Sequence, residues 1–286
     1  MRLRVVALVT ILSVVLLFTG CAAPKPADDN RINVTVSILP EKFFVERIGG
    51  DHVTVNVMVG PGDSPHTYEP KPEQMAALSQ SEIYFAIGVE FEGAWMDKFI
   101  SANPQMKTVN LSEGVDKLPM VGHDGEELDP HIWTSPEIAK SIARRITDGL
   151  SAVDAQNAGD YRANFDEFLA EIEQLQSEIQ EDLRVVNNRK FLVFHPAWGY
   201  FAREFNLEEI AIEVGGTEPS ASELSTIIKA AFKEDIRVVF AQPEFSTQIA
   251  NYLASEINGE VVLITPLAEN WLENLRTVAR TLKENI

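Results

Sequence analysis

The chain has 286 residues, 45% of them hydrophobic, and 43 acidic against 24 basic side chains give it a formal net charge of −19. That excess argues against nucleic acid as a partner and against a peripheral grip on anionic lipid, because both demand a basic face. The single cysteine leaves no disulfide to staple the fold, so a large core must hold it. A body of about 255 residues can bury one, and its length favours two lobes.

Residues 1–21 have the pattern of a secretory signal. Arg2 and Arg4 precede the apolar run Val5 to Phe18, and Phe18-Thr19-Gly20-Cys21 ends it. The run is too short for a membrane span, and the cysteine at the junction reads as a lipidation site. Residues 22–31, rich in Ala, Pro, Asp and Lys, then form a flexible tether. The expected location is extracytoplasmic, with the protein lipid-anchored to the outer face of the cytoplasmic membrane. One acyl chain holds a protein only marginally, so the anchor needs several.

From Ile32 onward the pattern alternates between strand and helix. Asn33–Leu39 is a strand closed by Pro40, Glu41–Ile48 a helix, and Val53–Val59 a second strand. The loop Gly60 to Pro65 delivers His66. A helix starts at Pro72, a third strand covers Ile83–Ile87, a helix Glu92–Ser101, and Thr108–Leu111 a fourth strand. Residues 112–130 form an acidic loop carrying His123, a possible accessory cation site or simply a solvated loop. Pro136 opens a helix to Leu150. Apolar residues at steps of three and four from Tyr161 to Val186 mark one long amphipathic helix, read as a strut between lobes.

The alternation then resumes. Strands are expected at 190–194, 209–214, 237–241 and 260–264, with helices at 197–205, 220–233, 245–257 and 269–283. This predicts an α/β protein of two lobes, each a mainly parallel sheet flanked by helices, joined by one long backbone helix. The boundaries follow: an N-terminal metal-binding lobe over 32–156, a linking helix over 157–187 and a C-terminal metal-binding lobe over 188–286.

Three of the five histidines share one setting. His66 sits in Ser64-Pro-His-Thr-Tyr-Glu-Pro70, His131 in Asp129-Pro-His-Ile-Trp133, and His195 in Phe194-His-Pro-Ala-Trp198. A lone histidine of this kind reads as a hydrogen-bonded structural residue. Three of them brought together suit a borderline metal, most naturally Zn2+, and leave a fourth tetrahedral position open. Water there would resemble a hydrolytic site. A carboxylate would close it, with Glu69, Glu213, Glu218, Glu244 and Glu269 as candidates that sequence does not rank. Glu69, close to His66 in sequence, reads either as the hydrogen-bond acceptor that orients its ring or as a surface salt-bridge residue. There is no His-Glu-x-x-His helix, Gly-x-Ser-x-Gly elbow or phosphate loop, so no enzyme is expected.

Pro65-His-Thr-Tyr-Glu-Pro70, Asp129-Pro-His-Ile-Trp-Thr-Ser-Pro136, Phe194-His-Pro-Ala-Trp-Gly-Tyr-Phe201, Glu218-Pro-Ser-Ala-Ser-Glu-Leu224, Gln242-Pro-Glu-Phe-Ser246 and Pro266-Leu-Ala-Glu-Asn-Trp-Leu272 carry a resemblance from about residue 32 onward. The chain resembles the zinc- and manganese-binding solute-binding lipoproteins of ABC importers. The resemblance implies two α/β lobes on one backbone helix, with metal held between them. It puts His66 and His131 at the ligand positions of the first lobe and His195 at the third, where imidazole favours zinc over manganese. The fourth family ligand falls on Glu269, where the family more often has Asp. Its implied partners are Zn2+ as transported ligand and a membrane permease, with the protein a monomer and its only membrane contact the lipid anchor. The readings beside it are manganese or iron as cargo, a surface zinc hydrolase, and an adhesion lipoprotein with a structural metal.

Overall fold

The computed structural model describes residues 31–121, 127–213 and 217–286. The signal segment and tether up to residue 30, the expected lipidation site Cys21, and His123 lie outside the described residues. None of the described helices is long and apolar enough to cross a membrane.

Two four-stranded sheets carry the architecture. β1 (Ile32–Val36), β2 (Val53–Val57), β3 (Ile83–Ala86) and β4 (Lys107–Asn110) lie in the order β2-β1-β3-β4. In the second sheet β5 (Lys190–Val193), β6 (Glu208–Ala211), β7 (Val238–Ala241) and β8 (Glu260–Leu263) lie in the order β6-β5-β7-β8. Every pairing between these strands is parallel. The sequence explains which strands are central: Ile83-Tyr-Phe-Ala86 and Val238-Val-Phe-Ala241 are buried throughout, as strands covered on both faces must be. The edges Lys107-Thr-Val-Asn110 and Glu260-Val-Val-Leu263 are largely polar or half-exposed.

The helices are α1 (Leu39–Gly49), α2 (Pro72–Leu78), α3 (Glu90–Ala102), α4 (Pro136–Val153), α5 (Ala158–Leu183), α6 (Gly199–Glu204), α7 (Ala221–Lys233), α8 (Gln248–Glu256) and α9 (Trp271–Asn285). The strut is α5, whose 26 residues span roughly 39 Å at 1.5 Å each. Its buried stripe runs Tyr161, Phe165, Phe168, Ile172, Leu175, Ile179 and Leu183, and it packs against α1, α4 and α9. The capping box expected at Ser220 forms: Glu223 N–H donates to Ser220 Oγ at 3.3 Å and Ser220 N–H to Glu223 Oε2 at 2.7 Å.

Two boundaries differ from expectation in ways that matter for the site. Pro40 does not end a strand. It sits in the first turn of α1, where a missing N–H costs nothing, and the strand stops at Val36. The terminal helix starts at Trp271 rather than Glu269, because Asn270 is its N-cap and accepts from Glu273 N–H at 3.2 Å.

One continuous core runs through both lobes. It joins Val34, Phe44 and Phe85 of the first to Phe191, Phe240 and Trp271 of the second, with the stripe of α5 between them. The rings of Phe44, Phe168 and Trp271 pack edge-on or tilted. Two indoles fasten the seam: Trp133 Nε1–H donates to Pro266 O at 2.8 Å and Trp271 Nε1–H to Trp133 O at 2.7 Å. The far face of the second sheet keeps a smaller core of its own, around Leu192, Phe194, Val239 and Leu253.

Candidate metal centre

In open parallel sheets, ligands bind beyond the carboxyl ends of the strands, where the strand order reverses. Both sheets here point those ends at one place. His66 follows β2, His131 follows β4, and His195 comes two residues after β5. One ring nitrogen from each lies within 4.8 Å of the others. His66 Nε2 and His195 Nε2 are 3.1 Å apart.

The opposite nitrogen of every ring meets a carboxylate. His131 Nδ1 is 2.8 Å from Asp129 Oδ1, His195 Nδ1 is 2.5 Å from Glu213 Oε2, and His66 Nδ1 is 3.2 Å from Glu90 Oε1. A carboxylate only accepts, so each Nδ1 carries a hydrogen and each Nε2 presents its lone pair to the centre. Facing lone pairs at 3.1 Å repel unless a cation or a proton lies between them. The ring acidities match this. Burial opposes charge on His66, but the hydrogen bond and charge of Glu90, with help from Glu213 and Glu127, outweigh it and raise its pKa. Burial pulls His195 down to about 4 despite Glu213, and the neighbouring His131 and His66 add to the fall. Burial pushes against the Glu90 carboxylate too, yet His66 holds it down at about 2.

Local chemistry sets each ring. Asp129 Oδ1 accepts from both the backbone N–H and Nδ1 of His131, which fixes that residue two positions along the chain. Gly199 lets Asp129 come close, since a Cβ there would stand 3.0 Å from Asp129 Oδ2. Gly88, at φ +98°, makes the turn after β3, and its N–H and that of Ile87 both donate to Glu92 at 2.9 Å. Glu90 begins the helix that follows. Phe245 lies over His195 with centroids 5.0 Å apart, and Trp133 lies 5.2 Å from His131. The cavity around the rings is further lined by Val89, Gln242, Glu244 and Leu267.

Three of the four expected ligands therefore come together, and the fourth stands apart. Glu269, two residues before α9, pairs with Lys42 of α1 instead, and its side chain is 52% exposed. Glu69 is exposed, and the acceptor on His66 is Glu90. Sequence reasoning missed Glu90 altogether and held Glu213 only as a possible direct ligand. It also passed over Asp129, although an acid two residues before His131 is a local signal.

The family model described as zinc-uptake complex component A, periplasmic, matches residues 34–285. The chain belongs to this family. A solved structure described as that of ZnuA is 44% identical, with a TM-score of 0.86, over 89% of this chain and 99% of that one. A ZnuA deletion mutant solved with zinc bound has the same 44% identity and a TM-score of 0.86, over 89% of this chain and 98% of its own. The zinc-binding lipoprotein AdcA of Streptococcus pneumoniae is 25% identical over 94% of this chain. The chain spans only 58% of that relative's length. Family membership fits the two-lobed parallel architecture and the histidine cluster described above.

Proposed function

We propose that the protein is the extracytoplasmic zinc-binding component of an ABC metal importer. It captures Zn2+ between residues 32–156 and 188–286, with 157–187 as the linking helix, and delivers it to a membrane permease. His66, His131 and His195 are the ligands, each through Nε2. The observation that carries this reading is the triple arrangement of carboxylate, imidazole and shared centre. It supplies three neutral nitrogen donors of fixed tautomer, the set that suits zinc better than the harder manganese ion. The names of its relatives, a zinc-binding lipoprotein and a zinc-bound ZnuA among them, support zinc over manganese or iron.

The protein works as a monomeric carrier rather than an enzyme, held at the membrane by lipid on Cys21. Release follows from any shift that withdraws one ligand, since a ligand's grip is the differential affinity of two arrangements. The test is to strip the protein, offer equimolar Zn2+, Mn2+, Fe2+ and Cu2+, and measure bound metal. One zinc per chain is expected, lost in His195→Ala. Preferential manganese retention would replace the cargo. Zinc retained equally by His195→Ala would overturn the three-histidine site.

A further inference from the structure

Three imidazoles leave one corner of a zinc tetrahedron unfilled, and five carboxylates were in reach of it by sequence. Glu69 and Glu218 are exposed, and Glu269 is engaged by Lys42 at the surface. Glu213 stands on the Nδ1 side of His195, behind the ring, where its carboxylate faces away from the shared centre. Asp129 and Glu90 are placed in the same way behind His131 and His66.

Glu90 also lines the histidine cavity and keeps a buried oxygen without a partner, but its other oxygen holds His66 Nδ1 from behind the ring. Glu244 differs in that its anchored oxygen is held by a threonine and not by a ligand ring. It lies in the loop after β7 and lines the same cavity as His66, His131 and His195. One of its oxygens is anchored, for Thr265 Oγ1 donates to Glu244 Oε1 at 2.7 Å. The direction of that hydroxyl is set from the other side, because Thr265 Oγ1 accepts from Leu267 N–H at 3.0 Å. The second oxygen, Oε2, is buried and has no hydrogen-bond donor. A buried carboxylate oxygen without a donor is costly, on the order of 1–3 kcal/mol or more for a charged group, and a cation at the neighbouring centre relieves that cost.

We infer that Glu244, and not Glu269, is the carboxylate that completes the zinc site, through Oε2, with Thr265 as its positioning residue. The inference rests on the zinc-capture reading and specifies its coordination: three nitrogens and one oxygen. The oxygen closes in on the imidazoles as zinc binds, since among the described residues only the three histidines share the 4.8 Å cluster. Glu244 comes from the loop after β7 and Thr265 from the loop after β8, so two adjacent strand ends of the second lobe fix the fourth donor. The Lys42–Glu269 pair is then a surface tie between α1 and the segment leading into α9.

The test compares Glu244→Gln, Glu244→Ala, Thr265→Val and Glu269→Gln in the whole protein, by zinc competition against a chromophoric chelator. Loss of Glu244 is expected to weaken zinc by about tenfold or more, since even a partner outside the coordination sphere carries that much. Thr265→Val should weaken it less, and Glu269→Gln, which breaks only an exposed pair, by no more than about twofold. The Co2+-loaded parent and Glu244→Gln should differ in their d–d spectra, as water replaces carboxylate, while metal-free Glu244→Gln melts no lower than the parent, since it removes a buried charge without a donor. Glu244 variants that bind zinc and give the Co2+ spectrum of the parent overturn the inference and leave zinc capture standing. So does a loss confined to Glu269→Gln. A parent that holds no zinc removes the capture reading itself, and this inference with it.

Discussion

His195 comes two residues beyond the central strand β5 and its side chain is 5% exposed, whereas His66 sits in an irregular turn beyond the edge strand β2 and is 26% exposed. The two lobes have the same strand order, yet they offer the same ligand type on supports of different stiffness. The ring from the second lobe is wedged under Phe245 and tied to Glu213. The ring from the first lobe is tied to Glu90 at a longer 3.2 Å. Since the lobes share one continuous core, with α5 packed through it, wide separation of the two is expensive. Motion of a loop ligand costs far less. The comparison teaches that His195 belongs to the more tightly held half of the site and His66 to the more exposed and loosely held half.

The carboxylates behind the rings give the strongest way to break that comparison. Glu213→Gln removes the acceptor from a buried ring, and its zinc affinity should fall by roughly 10–100-fold. Glu90→Gln removes a longer contact from the more exposed ring, so its loss should sit at the low end of that range. Competition titrations on the two variants decide it. Equal losses, or a larger loss in Glu90→Gln, would mean that both rings are held alike.

Acidity sharpens the same contrast with a smaller effect. His66 has a raised pKa, so as pH falls it is the ring that takes a proton where the metal would sit. His195, held at about 4, stays neutral through mild acid. Protonated imidazole cannot ligate, so zinc affinity should fall by about one log unit per pH unit on the acid side of the raised His66 pKa. In Glu90→Gln the carboxylate that raises this pKa is gone, and the onset of the fall should move to lower pH. An onset unmoved by Glu90→Gln would detach His66 from the titration.

Much of this was readable in the chain. Strand and helix alternation gave both sheets, and the three- and four-residue steps from Tyr161 gave α5 to within a few residues at each end. The three histidines were legible because each stands beside proline and an aromatic residue just past an apolar run. What stayed hidden depends on strands meeting. Glu90 and Glu213 reach their rings from the ends of other strands, and nothing local to His66 or His195 marks them. Glu269 was expected at the site from the family pattern. The start of α9 at Trp271 leaves it instead in the preceding segment, where Lys42 takes its carboxylate.

The smallest expected effect concerns the loops behind the ligands. Each lobe carries a buried acid that accepts backbone N–H groups just after its first strand: Glu41 from Ser37 and Ile38, both at 3.0 Å, and Glu209 from Trp198 at 2.9 Å. Burial raises both, Glu209 to about 8 and Glu41 well above the carboxylate range with Glu92 adding to it. Between the ordinary carboxylate range and about 8, the folded chain holds a proton on Glu209 that the unfolded chain has lost. Stability from this group is therefore present in acid and drains away as pH rises towards 8. Glu209→Gln keeps an acceptor for Trp198 N–H without the ionisation. Its melting temperature relative to the parent should rise by a few degrees more at pH 8 than at pH 5, with zinc stoichiometry unchanged, and Glu41→Gln should move in the same direction. A gap between Glu209→Gln and the parent that stays constant with pH would show that Glu209 is ionised in the fold. The loop behind His195 would then be held by a charge, and the acids of the two lobes would have to be explained separately.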